Sequence, residues 1–207
     1  MFKFILFLGI SYLLGSIPSG FLLGKIIKGI DLRKCGSGNV GFTNAFRYLG
    51  WRIGVFVLVF DVVKGFLPAY FFPQLIHLQS GWLSNNINSG LIFGITAIIG
   101  HIFTFFLKFK GGKGVATSIG VFLALTPIPL LITAIISLLL IFVTRFVSLG
   151  SIIGAIIFPI LVIIFQPKDV TIFITSLIIG LVIVIRHREN IKRLLKGKEL
   201  PLSRVKD

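Results

Sequence analysis

Long apolar runs alternate with short polar connections along this chain. Most of the runs approach the ~20 residues that an α-helix needs to cross the ~30 Å hydrocarbon core of a bilayer. Pro127 and Pro129 separate the fourth run from the fifth, which indicates two helices joined by a turn rather than one over-long span. The pattern predicts an all-α, polytopic membrane helix bundle of about seven transmembrane helices. The predicted spans are residues 3–23, 51–72, 90–107, 115–126, 128–147, 150–166 and 170–186.

The amino-acid composition excludes a water-soluble globule. Of the 207 residues, 56% are hydrophobic and only 13% are charged, so a soluble form would expose large apolar patches. Disordered chains have the opposite composition. No shift in composition divides the chain, and a single domain over residues 1–207 is predicted. The one cysteine, Cys35, excludes an intramolecular disulfide framework.

The charges are strongly biased toward one side of the predicted bundle. Lys and Arg total 21 against 6 Asp and Glu, which gives a net charge of +15. Lys3 and Lys168 fall on one side and Lys64 within a span, whereas every other Lys and Arg falls on the opposite side. The positive-inside rule therefore predicts an outside N-terminus and a cytoplasmic C-terminus. Attraction to anionic lipid explains the number of these cations, and nucleic-acid binding is not implied because that inference needs a basic face on a soluble fold.

A first glycine-rich segment, residues 36–47, lies in a predicted cytoplasmic loop. Three of its glycines spell G-x-G-x-x-G, but that dinucleotide fingerprint is convincing only between a strand and a helix, and membrane helices surround it here. The glycines instead let backbone N–H groups approach an anion. Thr43 can cap the next helix, and Asn44 and Arg47 share one face of its first turn, which predicts a phosphate site where a merely flexible loop would need only Gly and Ser. The candidate residues are Gly36, Ser37, Gly38, Asn39, Gly41, Thr43, Asn44 and Arg47.

A second glycine-rich segment, residues 108–117, leads into a helix from the same side. It is not a Walker A motif, because Gly114 rather than Ser or Thr follows Lys113. Glycines, lysines and a following helix N-terminus nevertheless predict a second anion-binding loop. Just before this segment, His101 lies in an apolar helix, where a lone histidine is more often a buried hydrogen-bonding residue than a catalyst. The candidate residues are Lys108, Gly111, Gly112 and Lys113.

A third polar segment, residues 186–197, follows the last apolar run. Its apolar positions form one stripe with Lys and Arg opposite, which predicts an interfacial helix on acidic lipid, and Gly197 is a helix stop signal. His187 and Asn190 lie three residues apart on one face, where the last span reaches the cytoplasm. A titratable imidazole beside an amide makes both of them candidate site residues.

Asp61 and Lys64 lie within the second predicted span, three residues apart. Charges at membrane depth are candidates for a functional role. Each also has an obvious partner in the other, and a mutual ion pair would tie this helix into the bundle. Both interpretations are open at the level of sequence.

The segments Gly36–Arg47, Gly100–Thr117 and His187–Gly197, in this order, resemble the three motifs of the bacterial acyl-phosphate-dependent glycerol-3-phosphate acyltransferases. The resemblance covers nearly the whole chain, with Phe42 where the family usually has Ala and Thr104 where it usually has Pro. It implies transfer of a fatty acyl group from acyl phosphate to the 1-hydroxyl of sn-glycerol 3-phosphate, giving lysophosphatidate and phosphate, the first acylation step of phospholipid synthesis. It further implies a multi-pass protein of the bacterial inner membrane whose active site faces the cytoplasm, with no cofactor, no metal and no obligate protein partner.

The same resemblance implies a role for each segment. The first segment, through Ser37, Arg47 and its backbone, holds one phosphate, and its two asparagines orient substrate oxygens. In the second segment, Lys108 or Lys113 offsets the charge on the acyl phosphate and its leaving group. The third segment positions the attacking hydroxyl or the carbonyl. Acyl phosphate is already activated, so positioning and electrostatics supply most of the rate; either His187 or a substrate phosphate oxygen takes the hydroxyl proton, and an acyl-Ser37 intermediate is a further option.

A carrier or channel for an organic phosphate is the alternative from another class. Transporters often contain internal repeats and broken helices with polar linings at the midplane. No repeat stands out in this chain, and its polar motifs gather at one face. That placement favours an enzyme that takes one substrate from the cytoplasm and the other from the bilayer.

Overall fold

The computed structural model describes residues 2–76 and 81–203, and all regular elements in these two ranges are helical. Three 3₁₀ turns cover Leu32–Lys34, Trp82–Ser84 and Phe105–Leu107. The all-α fold class predicted from the sequence is confirmed for this part of the chain. The α-helices are α1 (Phe2–Ser16), α2 (Ser19–Lys28), α3 (Phe42–Leu49), α4 (Trp51–Ile76), α5 (Asn86–Ile102), α6 (Val115–Leu125), α7 (Pro127–Thr144), α8 (Val147–Phe165), α9 (Val170–Arg186) and α10 (Arg188–Leu195).

Four helices are long and apolar enough to cross a membrane by themselves: α4, α5 with the turn that follows it, α7 and α8. The pairs α1–α2 and α9–α10 each count as one further span if bends of 44° and 58° are accepted within it. Helix α6 has 11 residues, which is about 16 Å at 1.5 Å per residue and only half of the hydrocarbon thickness. The described residues thus contain four to six candidate spans rather than seven, and the orientation of the termini stays a prediction.

Prolines mark two of the helix boundaries. Helix α6 ends at Leu125 and α7 begins at Pro127, which confirms the predicted separation of these helices; a proline fits at a helix start because its missing N–H would have no partner there. The first predicted span, residues 3–23, is instead divided at Ile17 and Pro18 into α1 and α2. Pro18 cannot donate the backbone hydrogen bond that a continuous helix would require.

The described residues form two compact units, one that ends at Leu125 and one that covers Thr126–Leu202. In the first unit, α1 packs on α5 and α4 packs on both α5 and α6. Glycines permit the close approach: a Cβ on Gly15 would collide with the Ala97 carbonyl, and a Cβ on Gly120 would collide with the Val62 carbonyl. Small residues at crossing points are typical of helices that associate within a bilayer.

In the second unit, α7, α8 and α9 pack in sequence order and α10 follows α9. Gly154 of α8 faces the Ser137 hydroxyl of α7, and a Cβ there would lie 2.5 Å from its oxygen. The outward side of α7 is strongly apolar, with Phe142 71% and Val143 77% exposed. Such a surface is typical of contact with lipid chains rather than with water.

Candidate functional site

The first glycine loop begins at a local ion pair. The carboxylate of Asp31 accepts the backbone N–H of Arg33 at 3.0 Å and lies 2.7 Å from its guanidinium Nη2. These hydrogen bonds lower the pKa of Asp31 to about 2, so the carboxylate is charged at any physiological pH. The 3₁₀ turn after it buries Leu32 completely, which fixes where the loop leaves α2.

Asn44 organises this loop from the inside. Its side-chain amide donates to the carbonyls of Leu32 and Cys35, both at 3.0 Å, and its Oδ1 accepts the Ser37 N–H at 3.4 Å. Gly36 has φ of +52°, and a Cβ there would lie 2.8 Å from the same Oδ1 and 2.6 Å from the Tyr48 ring. Both amide hydrogens of Asn44 are thus committed to the loop, and holding its backbone is the role that the geometry supports, rather than the predicted orientation of substrate oxygens.

Thr43 does not cap the helix that follows, contrary to the prediction. Helix α3 begins at Phe42, and its N-cap is Gly41 without a side-chain hydrogen bond. The reason lies in Asn39, whose Oδ1 accepts the Gly41 N–H at 2.8 Å and turns the chain into the helix before Thr43 is reached. With no side chain on the cap, the first-turn N–H groups of α3 keep their capacity to bind an anion.

The candidate cation and hydroxyl of the first loop differ in exposure. Arg47 lies on α3, one turn after Asn44, and is only 7% exposed, whereas Ser37 is half-buried in the loop. Val40 is buried, and its carbonyl lies where a Cβ on Gly20 of α2 would be. Close packing of α2 therefore fixes the loop on one side, and a buried guanidinium lies on the helix that follows it.

The second glycine loop folds back onto the end of α5. The N–H of Gly111 donates to the Ile102 carbonyl and the N–H of Gly112 donates to the His101 carbonyl, both at 3.0 Å. Helix ends leave such carbonyls without intrahelical partners, and the loop supplies the donors. The predicted use of these two N–H groups in an anion cradle is therefore wrong. Close packing explains the glycines instead, because a Cβ at either position would collide with His101.

The remaining anion-binding groups of this loop lie at its end. Lys108 is exposed and Lys113 is half-buried just before α6. The first-turn N–H groups of α6 have no partner within the helix. In the described part of the chain, the buried hydroxyls of Thr117 and Ser118 in that turn also have no hydrogen-bond partner. Lys108, Lys113 and the start of α6 are therefore the parts of this segment that stay candidates for anion binding.

A buried polar cluster, formed by Ser19, Asp61, Lys64 and His101, lies next to both loops. Lys64 Nζ is 2.8 Å from Asp61 Oδ1, which confirms the ion-pair interpretation, and it donates to the Ile17 carbonyl at 2.9 Å. The Ser19 hydroxyl donates to Asp61 Oδ1 at 3.0 Å, and His101 Nδ1 is 3.8 Å from the same oxygen. The spacing of the two charges gave a signal for their pairing, but nothing in the sequence linked Ser19 to them.

A small polar pocket in the first unit brings the two loops together. Its lining includes Val40 of the first loop, Gly111 of the second, and Asp61, Lys64 and His101 of the buried cluster. The break between α1 and α2, together with Thr104 after α5, lines the remainder. The predicted site residues Ser37, Arg47, Lys108 and Lys113 do not line this pocket; they lie on the loops and helices around it.

The third segment belongs to the second unit and centres on Glu199, which the sequence analysis missed. The Asn190 amide donates to Glu199 Oε1 at 2.7 Å, the Ser148 hydroxyl donates to the same oxygen at 3.0 Å, and Arg193 Nε donates to Oε2 at 2.8 Å. Glu199 is 8% exposed. The available signal was an isolated acidic residue just after Gly197, which ends α10 with φ of +63° as predicted.

His187 lies at the junction of α9 and α10 and is 3% exposed. Its Nδ1 is 2.8 Å from the Ile183 carbonyl. Because a carbonyl only accepts, Nδ1 carries the proton and Nε2 has the lone pair of the neutral ring. The positioning or basic role of His187 stays a prediction. Within residues 2–76 and 81–203, no three His, Cys, Asp or Glu side chains cluster closely enough to hold a metal ion.

Comparison with known proteins places these residues in a family context. The family model described as glycerol-3-phosphate acyltransferase matches residues 5–197. A glycerol-3-phosphate acyltransferase of Macrococcus caseolyticus is 48% identical over 194 residues, 94% of each chain, and one of Staphylococcus aureus strain Newman is 44% identical over 196 residues, 94% of this chain and 96% of its own. The glycerol 3-phosphate form of PlsY, an integral membrane glycerol 3-phosphate acyltransferase, superposes with a TM-score of 0.85 at 38% identity, covering 96% of this chain and 94% of its own. Its lysophosphatidic acid form gives 0.82 at 37% identity with the same coverage.

Proposed function

Because this chain belongs to the glycerol-3-phosphate acyltransferase family, we propose that it transfers a fatty acyl group from acyl phosphate to the 1-hydroxyl of sn-glycerol 3-phosphate. The products are lysophosphatidate and inorganic phosphate. The family itself makes the chain a membrane-integral acyltransferase. Acyl phosphate as the donor and lysophosphatidate as the product are the more specific part of the proposal.

One observation carries the proposal: two glycine loops, each followed by the start of a helix, meet at one small polar pocket, to which Val40 of the first loop and Gly111 of the second contribute. Both proposed substrates carry a phosphate, and helix N-termini with nearby cations bind phosphate groups. The related PlsY forms named for glycerol 3-phosphate and lysophosphatidic acid support a substrate and a product of this chemical class.

The residues divide between the two phosphates. Ser37, Arg47, the backbone of Gly36 and the start of α3 hold one of them; the N–H groups of Gly38 and Gly41 already donate to the Cys35 carbonyl and to Asn39 Oδ1. Lys113, Lys108 and the start of α6 hold the other. A charge-assisted hydrogen bond is shorter and about twice as strong as a neutral one, so a buried Arg47 and a half-buried Lys113 are suited to this work.

In the proposed reaction the protein supplies neither the nucleophile nor the base. The 1-hydroxyl oxygen attacks the carbonyl carbon of the acyl phosphate, the ester C–O bond forms, and the C–O bond to phosphate breaks with phosphate as the leaving group. A phosphate oxygen of the substrate takes the hydroxyl proton. His187 and Asn190 position the hydroxyl or the carbonyl, and the rate comes from positioning and from stabilisation of the developing negative charge.

The location of the enzyme is also part of this proposal. We propose that the site faces the cytoplasm at a bacterial inner membrane, where glycerol 3-phosphate comes from water and the acyl chain from the bilayer; the bias of the cations toward one set of loops supports this orientation. The whole chain acts as one acyltransferase domain and needs no cofactor and no protein partner.

The test is phosphate release by the purified protein in detergent. Glycerol 3-phosphate is supplied with either acyl phosphate or acyl-CoA, and products are separated by thin-layer chromatography. We expect phosphate and lysophosphatidate with acyl phosphate and no lysophosphatidate with acyl-CoA. Turnover with acyl-CoA would overturn the donor assignment. Inactivity with both donors, together with uptake of glycerol 3-phosphate by vesicles that contain the protein, would favour the carrier.

A further inference from the structure

We propose that the buried cluster of Ser19, Asp61, Lys64 and His101 positions the second glycine loop, residues 108–114, for binding of acyl phosphate. The identity of that ligand rests on the proposed function; the positioning of the loop does not. The charged pair thus works at a distance, as a pair of positioning residues rather than as groups that touch substrate.

The first step of the argument is that the ion pair is tied to the break between α1 and α2. A helix end leaves carbonyl groups without partners, and Lys64 Nζ donates to one of them, the Ile17 carbonyl, at 2.9 Å. Asp61 accepts the Ser19 hydroxyl at 3.0 Å on the other side of the same break. Lys64 is 4% and Asp61 2% exposed, so the pair is enclosed and its geometry is set by these contacts.

The second step leads from the pair to His101. Its Nδ1 lies 3.8 Å from Asp61 Oδ1, so the carboxylate faces one side of the imidazole ring. The other side of the ring faces Gly112, where a Cβ would lie 2.8 Å from Cε1 and would collide with Nε2. The ring therefore fills the space between the ion pair and the loop, and its orientation depends on both.

The third step is that the loop depends on His101. The Gly112 N–H donates to the His101 carbonyl at 3.0 Å, and the neighbouring Gly111 N–H donates to the Ile102 carbonyl. Gly111 and the charged pair also line the same polar pocket. A shift of the His101 ring thus moves the backbone that carries Lys113 and leads into the start of α6.

The experiment separates positioning from folding by removing both charges together. Removal of one partner of a buried pair leaves an uncompensated charge, whereas replacement of both by apolar residues of similar size is often neutral for stability. The variant is therefore Asp61→Leu/Lys64→Met. Its matched control is Glu189→Gln/Lys192→Gln, which removes an ion pair of the same i,i+3 spacing from the exposed surface of α10.

The first measurement is hydrogen exchange of the purified proteins in detergent, without substrate. We expect the segment 108–114 to exchange at least ~10-fold faster in the double variant, while segments of α8 exchange as in the wild type; a tenfold change corresponds to ~1.4 kcal/mol in the opening equilibrium. The control variant should match the wild type throughout. Unchanged exchange of residues 108–114 in a folded double variant would overturn the proposal.

The second measurement is kinetic. We expect KM for acyl phosphate to rise about 10-fold in the double variant while kcat changes less than about 3-fold, since the reacting groups are retained. A proportional loss of kcat at unchanged KM would contradict the positioning role. If the wild type releases no phosphate from acyl phosphate, the proposed donor fails, and the exchange experiment still decides whether the cluster positions the loop.

His101→Asn provides a second route if the double variant fails to fold. This variant keeps both charges and replaces the imidazole ring, which fills the space beside Gly112, with a shorter amide side chain. We expect the same faster exchange of residues 108–114 in His101→Asn. Adding Ser19→Ala to His101→Asn should change the exchange little further, because the two substitutions affect the same series of contacts. A loop that exchanges as in the wild type in His101→Asn would overturn the proposal equally.

Discussion

The imidazole of His101 lies against the backbone of Gly112, in the space that a Cβ at position 112 would need. The same two residues are joined by a hydrogen bond from the Gly112 N–H to the His101 carbonyl. Together with the hydrogen bond from the Gly111 N–H to the Ile102 carbonyl, this residue pair closes the loop that leads to Lys113 onto the end of α5, and the contact with His101 requires glycine at position 112.

Gly112→Ala should lower kcat/KM at least ~10-fold, because the added methyl group displaces the His101 ring or the loop, and misplacement of about 1 Å can cost 100-fold in rate. The measurement is phosphate release at varied acyl phosphate. Gly9→Ala is the matched control, since Gly9 is exposed in α1 and a Cβ there meets nothing within 4 Å. Wild-type activity in Gly112→Ala would contradict the close contact.

Arg47→Lys should lower kcat/KM by about 10- to 100-fold, since lysine keeps the charge but loses the planar fork that binds phosphate in two places. Steady-state kinetics with each substrate varied in turn would identify which phosphate is affected. Arg52→Lys is the control on the next helix, where the guanidinium is exposed over the Trp51 ring. Unchanged kinetics of the Arg47→Lys enzyme would show that Arg47 does not bind a substrate phosphate.

Lys113→Gln should raise KM for acyl phosphate about 10-fold or more, because one charge-assisted hydrogen bond contributes ~1.5–3 kcal/mol. Lys110→Gln lies in the same loop, is exposed, and should leave KM unchanged. The comparison is made at fixed ionic strength, because surface charge is screened by salt. Equal effects of the two substitutions would show a general electrostatic attraction rather than a specific site at the start of α6.

His187→Ala should lower kcat by less than about 100-fold, because general-base catalysis by a side chain typically contributes 100- to 10,000-fold and the proposal gives the proton to a substrate phosphate oxygen. The measurement is kcat at saturating concentrations of both substrates. Complete loss of kcat with both substrates still bound would make His187 the base. His187→Gln is the companion variant, since it retains a polar group at the junction of α9 and α10.

Asn190→Asp should destabilise the second unit, because it exchanges a donor for a second carboxylate 2.7 Å from Glu199 Oε1. A loss of ~2–3 kcal/mol would lower the midpoint of thermal unfolding by roughly 4–12 °C for a chain of this size. Asn86→Asp on the exposed first turn of α5 is the isosteric control and should not lower the midpoint. Unchanged stability of Asn190→Asp would show that Glu199 is held by its other partners alone.

The helical architecture was largely predictable, because apolar length and proline positions act locally. At the boundary between α6 and α7, Pro127 lacks the N–H that a continuous helix would use, which is a local property of the chain, although α4 continues through Pro68 and Pro73 and α8 through Pro159. The count of seven spans is not confirmed, since α6 has only 11 residues and the first predicted span is divided at Pro18 into α1 and α2. Whether a short apolar helix crosses the bilayer or packs within the bundle depends on its neighbours, which hydropathy does not report.

The site residues were predictable as segments but less so as individuals. The family was identified correctly, and the role of the three polar segments as the site stays a prediction. Asn44, Thr43 and the two loop glycines, however, received ligand-binding or capping roles that their hydrogen bonds do not support. A backbone N–H or a side-chain amide binds a ligand only when the fold has not already used it, and a partner such as the Leu32 carbonyl, which accepts from Asn44, lies outside the motif.

Hydropathy, charge and motif order are properties of the linear chain, so they were enough to identify a basic helical membrane protein of the glycerol-3-phosphate acyltransferase family. Which donors and acceptors inside those motifs are already paired depends on the tertiary structure. It also joined Asp61 and Lys64 to Ser19 and His101, since hydrogen bonds between different helices form by proximity in space.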